Sequence, residues 1–256
     1  MKELMFWQEA KNLAYTGEVD AKLPARVFPD TDMVHHFHPM AWVKQMKLIL
    51  GNGMPPWMEY ALKKAEEMAG IDEGVEPLFT FAKKSLEFGG NNYRPDDNTN
   101  GQWCGAFVSR CLNETGFKVA PNKWDRLRSQ AFITLNGQIF KKVDAPVFGC
   151  IVVMTNYKKS DGSSKGSGHV TLLYGIDGNN LVCLGGNQGS KLKFSSYKKE
   201  GVSYNSKTYE QKFNSFLMPI DYPENYYNYE IPEITVNKAN KKFGINLKTL
   251  KNESTL

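Results

Sequence analysis

Among the side chains able to attack a carbonyl carbon, Cys104 has the surroundings such chemistry asks for. It stands in Asn100-Gly101-Gln102-Trp103-Cys104-Gly105-Ala106-Phe107-Val108, and apolar residues follow at Phe107, Val108, Cys111 and Leu112. That i, i+3, i+4, i+7, i+8 spacing predicts a helix with one buried face and the thiol in its first turn. Asn98 or Thr99 is the expected cap, and Gly116 the expected stop. A thiol at a helix N-terminus meets the positive end of the peptide dipoles and unpaired N–H groups, both of which favour the thiolate.

A nucleophilic cysteine needs a base. The histidines are His35, His36, His38 and His169, and only His169 follows Cys104. It lies in Gly166-Ser167-Gly168-His169-Val170-Thr171-Leu172-Leu173-Tyr174, a glycine-rich approach to a β-branched and aliphatic strand. The next apolar run, Leu181-Val182-Cys183-Leu184, ends in Gly185-Gly186-Asn187-Gln188. If Asp177-Gly178-Asn179-Asn180 turns the two into an antiparallel hairpin, Asn187 reaches the His169 ring. Gln188 is the alternative, as is a carboxylate not placed by the sequence.

The elements that must position these groups are legible around them. Pro55-Pro56 opens a helix with Trp57, Met58, Ala61 and Leu62 on its apolar face, closed by Gly70. A second helix is expected over 76–88, burying Leu78, Phe79, Phe81, Ala82 and Leu86. The polar loop from Tyr93 to Asn98 leads into the cysteine helix and is placed to rim the site. Another helix is expected over 123–132, with Trp124, Leu127 and Phe132 packed on the core. After Pro146 the pattern turns to strands over 150–155, 169–174, 181–184, 191–196 and 213–218. Helices followed by antiparallel strands define an α+β order, with N-terminal helices packed on an antiparallel sheet.

Four blocks in this order carry a resemblance: Trp103-Cys104-Gly105-Ala106-Phe107, the run from Pro146 to Met154, Gly168-His169-Val170, and Leu184-Gly185-Gly186-Asn187-Gln188. They resemble the successive blocks of bacterial cell-wall hydrolases related to the CHAP and NlpC/P60 groups, over about Trp57 to Pro219. The resemblance implies a papain-like fold and cleavage of amide bonds in peptidoglycan. By the same likeness Cys104 is the nucleophile, His169 the base and Asn187 the residue that orients the imidazole. Phe148-Gly149 departs from the family's usual Pro-Gly, and the polar insertion from Tyr157 to Ser167 is expected to narrow or re-aim the substrate groove.

The mechanism this implies is proton transfer from Cys104 to His169, attack on a stem-peptide amide, and hydrolysis of the thioester by water. The Cys104 backbone N–H holds the oxyanion, with Gln102, Trp103 and Gln188 as further oxyanion or substrate contacts. No cofactor or metal enters the scheme. The bond cut is either that between N-acetylmuramic acid and L-alanine or one within or between stem peptides. Two other classes fit the same residues: a non-catalytic wall-binding or interaction module of the same fold, and a protein-directed cysteine protease or transglutaminase-like enzyme.

The chain of 256 residues divides, on this reading, into an extension over 1–50, a hydrolase domain over 51–222 and a tail over 223–256. Hydrophobic residues at 41% and charged residues at 23% exclude a disordered or membrane-embedded chain. A net charge of +5 suits a solvated lysine-rich surface and is compatible with an anionic wall polymer, and no arginine-aromatic pattern points to nucleic acid. The four cysteines, Cys104, Cys111, Cys150 and Cys183, lack zinc spacing, and the last three read as core residues.

Charges within Met1 to Ala10 argue against a secretory signal, and no run is long enough to span a bilayer. A wall hydrolase made in the cytoplasm without such a signal must reach the periplasm or wall through a secretion machine or phage lysis. Val34-His35-His36-Phe37-His38-Pro39 reads as a packed linker or docking segment rather than a metal site, and it resembles His-Phe-His-Pro segments beside type VI secretion effector domains. An antibacterial effector, with an immunity protein and a secretion-apparatus partner, is the biological role expected. Tyr226, Tyr227 and Tyr229 are expected to cover a sheet edge or meet a partner.

Overall fold

The computed structural model describes residues 54–68 and 70–245. The expected N-terminal extension, with His35, His36 and His38, lies outside the described residues. Among the described residues three helices come first: α1 (Pro56–Glu67), α2 (Leu78–Phe88) and α3 (Cys104–Glu114). Pro56 sits in the first turn, where its missing N–H forfeits no intrahelical bond. α1 and α2 both pack on α3, whose residues from Cys104 to Ser109, with Cys111 and Leu112, are buried. Phe79 is only half-buried, because it flanks the apolar face set by Leu78, Phe81, Ala82 and Leu86. The Arg94 guanidinium covers its ring at 4.8 Å.

The expected helix over 123–132 does not form. In its place stand a 3-10 turn at Trp124–Arg126 and the short α4 (Ala131–Thr134). The Ser109 hydroxyl donates to the Arg126 carbonyl at 2.9 Å, tying this turn to α3. Leu127 and Phe132 are buried as expected, but Trp124 is 58% exposed. Gly105 makes this packing feasible: a Cβ there would lie 2.2 Å from the Leu127 carbonyl oxygen, so only glycine lets the segment close on the first turn of α3.

Seven strands follow: β1 (Phe140–Val143), β2 (Ile151–Lys158), β3 (Ser164–Asp177), β4 (Asn180–Gly185), β5 (Lys193–Lys198), β6 (Val202–Asn205) and β7 (Tyr209–Pro219). They form one antiparallel sheet in the order β1-β7-β2-β3-β4-β5, with β6 added on β7. The architecture is α+β, as expected, with α3 lying across β3 and β4. β1 and β6 are additions to the sequence reading. The polar insertion over 157–167 is largely ladder, with Tyr157 paired to Ser164.

The described residues after Pro223, 224–245, pack on this fold. Lys141 on edge strand β1 pairs with Glu224 at 2.9 Å and lies over the Tyr227 ring, while Tyr229 packs on Phe148. At the other edge, Asn240 of α5 (Val236–Lys242) binds both backbone groups of Phe194, at 3.0 and 2.9 Å. The side-chain amide thus mimics another strand and closes an edge that would otherwise invite pairing. All four cysteines are free and buried. No helix among the described residues is long and apolar enough to cross a membrane.

Candidate active site

Cys104 begins α3 and is 7% exposed, on the wall of a cleft of about 410 Å³. The cleft runs between the polar loop before α3, the segment around Trp124 to Ser129, and Gly166 to Gly168 of β3. The helix has no side-chain cap: Trp103 is the N-cap residue. Asn98 and Thr99 are held away from that role by a local turn in which Asp97 accepts the Thr99 and Asn100 backbone N–H groups at 2.9 and 3.0 Å. The first intrahelical bond runs from the Phe107 N–H to the Trp103 carbonyl, leaving the earlier N–H groups at the helix start.

Trp103, expected as an oxyanion or substrate contact, is fully buried and does not line the cleft. Its indole N–H donates to Glu73 Oε2 at 2.7 Å, and its ring stands edge-on to Phe107. Glu73, only 4% exposed, is a residue the sequence reading missed. Burial raises its carboxyl pKa, opposed by hydrogen bonds from Trp103 and Ser190. An acid in the aperiodic link Ile71-Asp72-Glu73-Gly74 carries no sequence signal; only its bond to a tryptophan 30 residues away reveals its place.

Burial pushes the Cys104 thiol up, while the backbone N–H groups of Val170, Gly105 and Cys104 itself favour its thiolate. The helix-start donors are therefore present, but desolvation outweighs them, contrary to the expectation of a thiolate-favoured cysteine. The Val170 N–H also locates the sulfur beside the residue that follows His169. No hydrogen bond joins Cys104 to His169, and the imidazole, 3% exposed, stands outside the cleft lining. Burial lowers the His169 pKa to about 4, so thiol and imidazole both rest neutral at pH 7.

The amide nearest the imidazole in effect is that of Gln188, which opposes the lowering of the His169 pKa by burial. Its Nε2 is committed to backbone carbonyls, including those of Gly185 at 3.2 Å and Lys193. That leaves Oε1 to accept from the Tyr197 hydroxyl at 2.7 Å. His169 Nε2 is fully shielded and has no hydrogen-bond partner among the described residues. Gln188 is itself fully buried and, unlike the substrate-contacting position expected for it, does not line the cleft. Asn187, with φ of 56°, instead lines the cleft, and its side chain makes no hydrogen bond among the described residues.

Gln102 also lines the cleft, with Nε2 donating to the Asn98 carbonyl at 2.9 Å. An amide NH₂ has a second hydrogen, which stays available for an oxyanion. Beneath His169, whose Cα pairs with Met154, a further unforeseen residue pins the sheet. Gln130 Nε2 donates to the Met154 carbonyl at 2.9 Å, and its Oε1 accepts from Thr155 at 2.8 Å. Among the described residues no group of three His, Cys, Asp or Glu side chains is placed to hold a metal ion. No protein-family model, curated protein or solved structure matches the chain.

Proposed function

We propose that this chain is a cysteine-dependent amide hydrolase of papain-like architecture that cuts amide bonds in bacterial peptidoglycan. The observation that carries the reading is the placement of the Cys104 thiol: at the start of a buried helix, open to a cleft, and against the backbone of the strand residue next to His169. In attack, His169 accepts the thiol proton as sulfur bonds to the carbonyl carbon. The Cys104 N–H and the Gln102 amide hold the oxyanion, and Gln188 keeps the imidazole oriented. The imidazolium then protonates the leaving amine, and water cleaves the thioester.

As an antibacterial effector the protein would act in the periplasm after delivery by a secretion machine, with an immunity protein covering the cleft. Digestion of purified peptidoglycan by wild type and by Cys104→Ala, with products identified by mass, tests the reading. Soluble products from wild type and none from the folded variant are expected. A folded wild type that releases nothing from the wall would remove peptidoglycan as the substrate.

A further inference from the structure

Two aromatic side chains are exposed among the described residues, Tyr93 at 56% and Trp124 at 58%, and both line the cleft that opens on Cys104. They come from separate segments, the loop before α3 and the 3-10 turn after it, so the tertiary fold brings them to one rim. Covering two exposed rings at one cleft would remove apolar area from water and so favour a ligand seated there. The lining between them is neutral and hydrogen-bonding. It includes the amide of Asn187, unbonded among the described residues, and its one charged side chain, Arg128, is paired with Asp125 at 3.4 Å.

Flat apolar faces beside neutral donors and acceptors match a pyranose ring, whose C–H face stacks on an aromatic while its hydroxyl and N-acetyl groups take the hydrogen bonds. A free peptide, with charged termini and carboxylates, would leave those charges facing a lining that offers a single compensated guanidinium. Resting on the hydrolase reading above, we infer that the Tyr93–Trp124 rim binds the amino-sugar strand of the wall. The amide presented to Cys104 is then the one joining the sugar's lactyl group to the first residue of the stem peptide. The sulfur bonds to the lactyl carbonyl carbon, the C–N bond breaks, and the amine leaves with the proton carried by His169. Water then splits the thioester into a lactyl carboxylate and the regenerated thiol.

The test is calorimetric titration of the Cys104→Ala protein with three soluble wall fragments: glycan chains stripped of peptide, the disaccharide carrying its stem peptide, and the free stem peptide. Binding of both sugar-bearing fragments is expected, with the free peptide about tenfold weaker or more. Adding Trp124→Ala or Tyr93→Ala should weaken the glycan about tenfold each, and Trp124→Phe should restore much of the loss. Both side chains are exposed, so thermal melts of these variants should match the parent.

Equal binding of free and sugar-linked peptide, with no binding of bare glycan, overturns the sugar rim. If wild type still digests the wall, the hydrolase reading then stands without it. Glycan binding that depends on Trp124, with no digestion by wild type, supports the rim and overturns hydrolysis. Neither binding nor digestion overturns both.

Discussion

The Tyr197 hydroxyl donates to Gln188 Oε1 at 2.7 Å while its ring stacks on the His169 imidazole, 27° from parallel with centroids 5.6 Å apart. One tyrosine thus touches both the proposed base and the amide proposed to orient it. Gln188→Ala is expected to lower kcat roughly a hundredfold, less than loss of a charged triad partner, because an amide orients the ring without stabilising its charge as a carboxylate does. Tyr197→Phe keeps the stacked ring and should lower kcat by a smaller factor with KM unchanged. Asn187→Ala should act mainly on KM, since that side chain lines the cleft. Steady-state kinetics on one soluble fragment separates the three, and a kcat loss confined to Asn187→Ala would reverse the assignment.

Activity should persist well below the ordinary histidine pKa. His169 stays neutral, and able to take a proton, until the pH approaches about 4. The acid limb of kcat/KM is therefore expected below pH 6.5. Alkylation of Cys104 in the free protein should be slow at pH 6 and accelerate on the alkaline side, because burial raises the thiol. Rapid labelling at pH 6 would show a thiolate–imidazolium pair instead.

The same shift makes stability depend on pH. The folded-state pKa of His169 lies below the unfolded value of 6.5, so the unfolded chain takes up this proton first as pH falls. The contribution is complete above pH 6.5 and is lost between there and pH 4, amounting to about 3 kcal/mol. Urea midpoints measured at pH 7 and pH 5 should differ less in His169→Gln than in wild type.

Glu73 offers a contrast between removing a partner and neutralising a buried charge. Glu73→Ala leaves the buried Trp103 N–H unpaired and should cost about 1–3 kcal/mol. Glu73→Gln keeps an acceptor for the indole. Because burial raises the Glu73 pKa, the folded protein pays for the ionised form as pH rises, so the glutamine variant should be at least as stable as wild type at pH 7. Thermal melts of both variants check the pair, and a glutamine variant as weak as alanine would mean that the ionised carboxylate is itself required.

Gly105→Ala places a Cβ 2.2 Å from the Leu127 carbonyl oxygen, so backbone must move. A loss of about 1–3 kcal/mol is expected, together with disturbance of the cleft wall carrying Trp124. Melting temperature and glycan binding measured on the same variant would show both effects.

The α+β order, the helix carrying Cys104 and the strands around His169 were legible in the sequence because each rests on local periodicity. The 3.6-residue spacing of Phe107, Val108, Cys111 and Leu112 specifies a buried helix face, and the β-branched and aliphatic run after Gly168 specifies a buried strand. Adjacency in the chain also brought attention to Gln188, one residue from the amide first favoured. Which of the two amides is buried on the imidazole side and which lines the cleft depended on a left-handed backbone at Asn187, on carbonyls of β4 and β5 that capture the Gln188 amide, and on a tyrosine two strands away from His169. The exposure of Trp124, the burial of Glu73 against Trp103 and the desolvation that keeps Cys104 protonated were decided the same way. Periodicity records which face of an element avoids water, whereas burial, charge state and hydrogen-bond partner depend on segments distant in sequence that only the folded chain brings together.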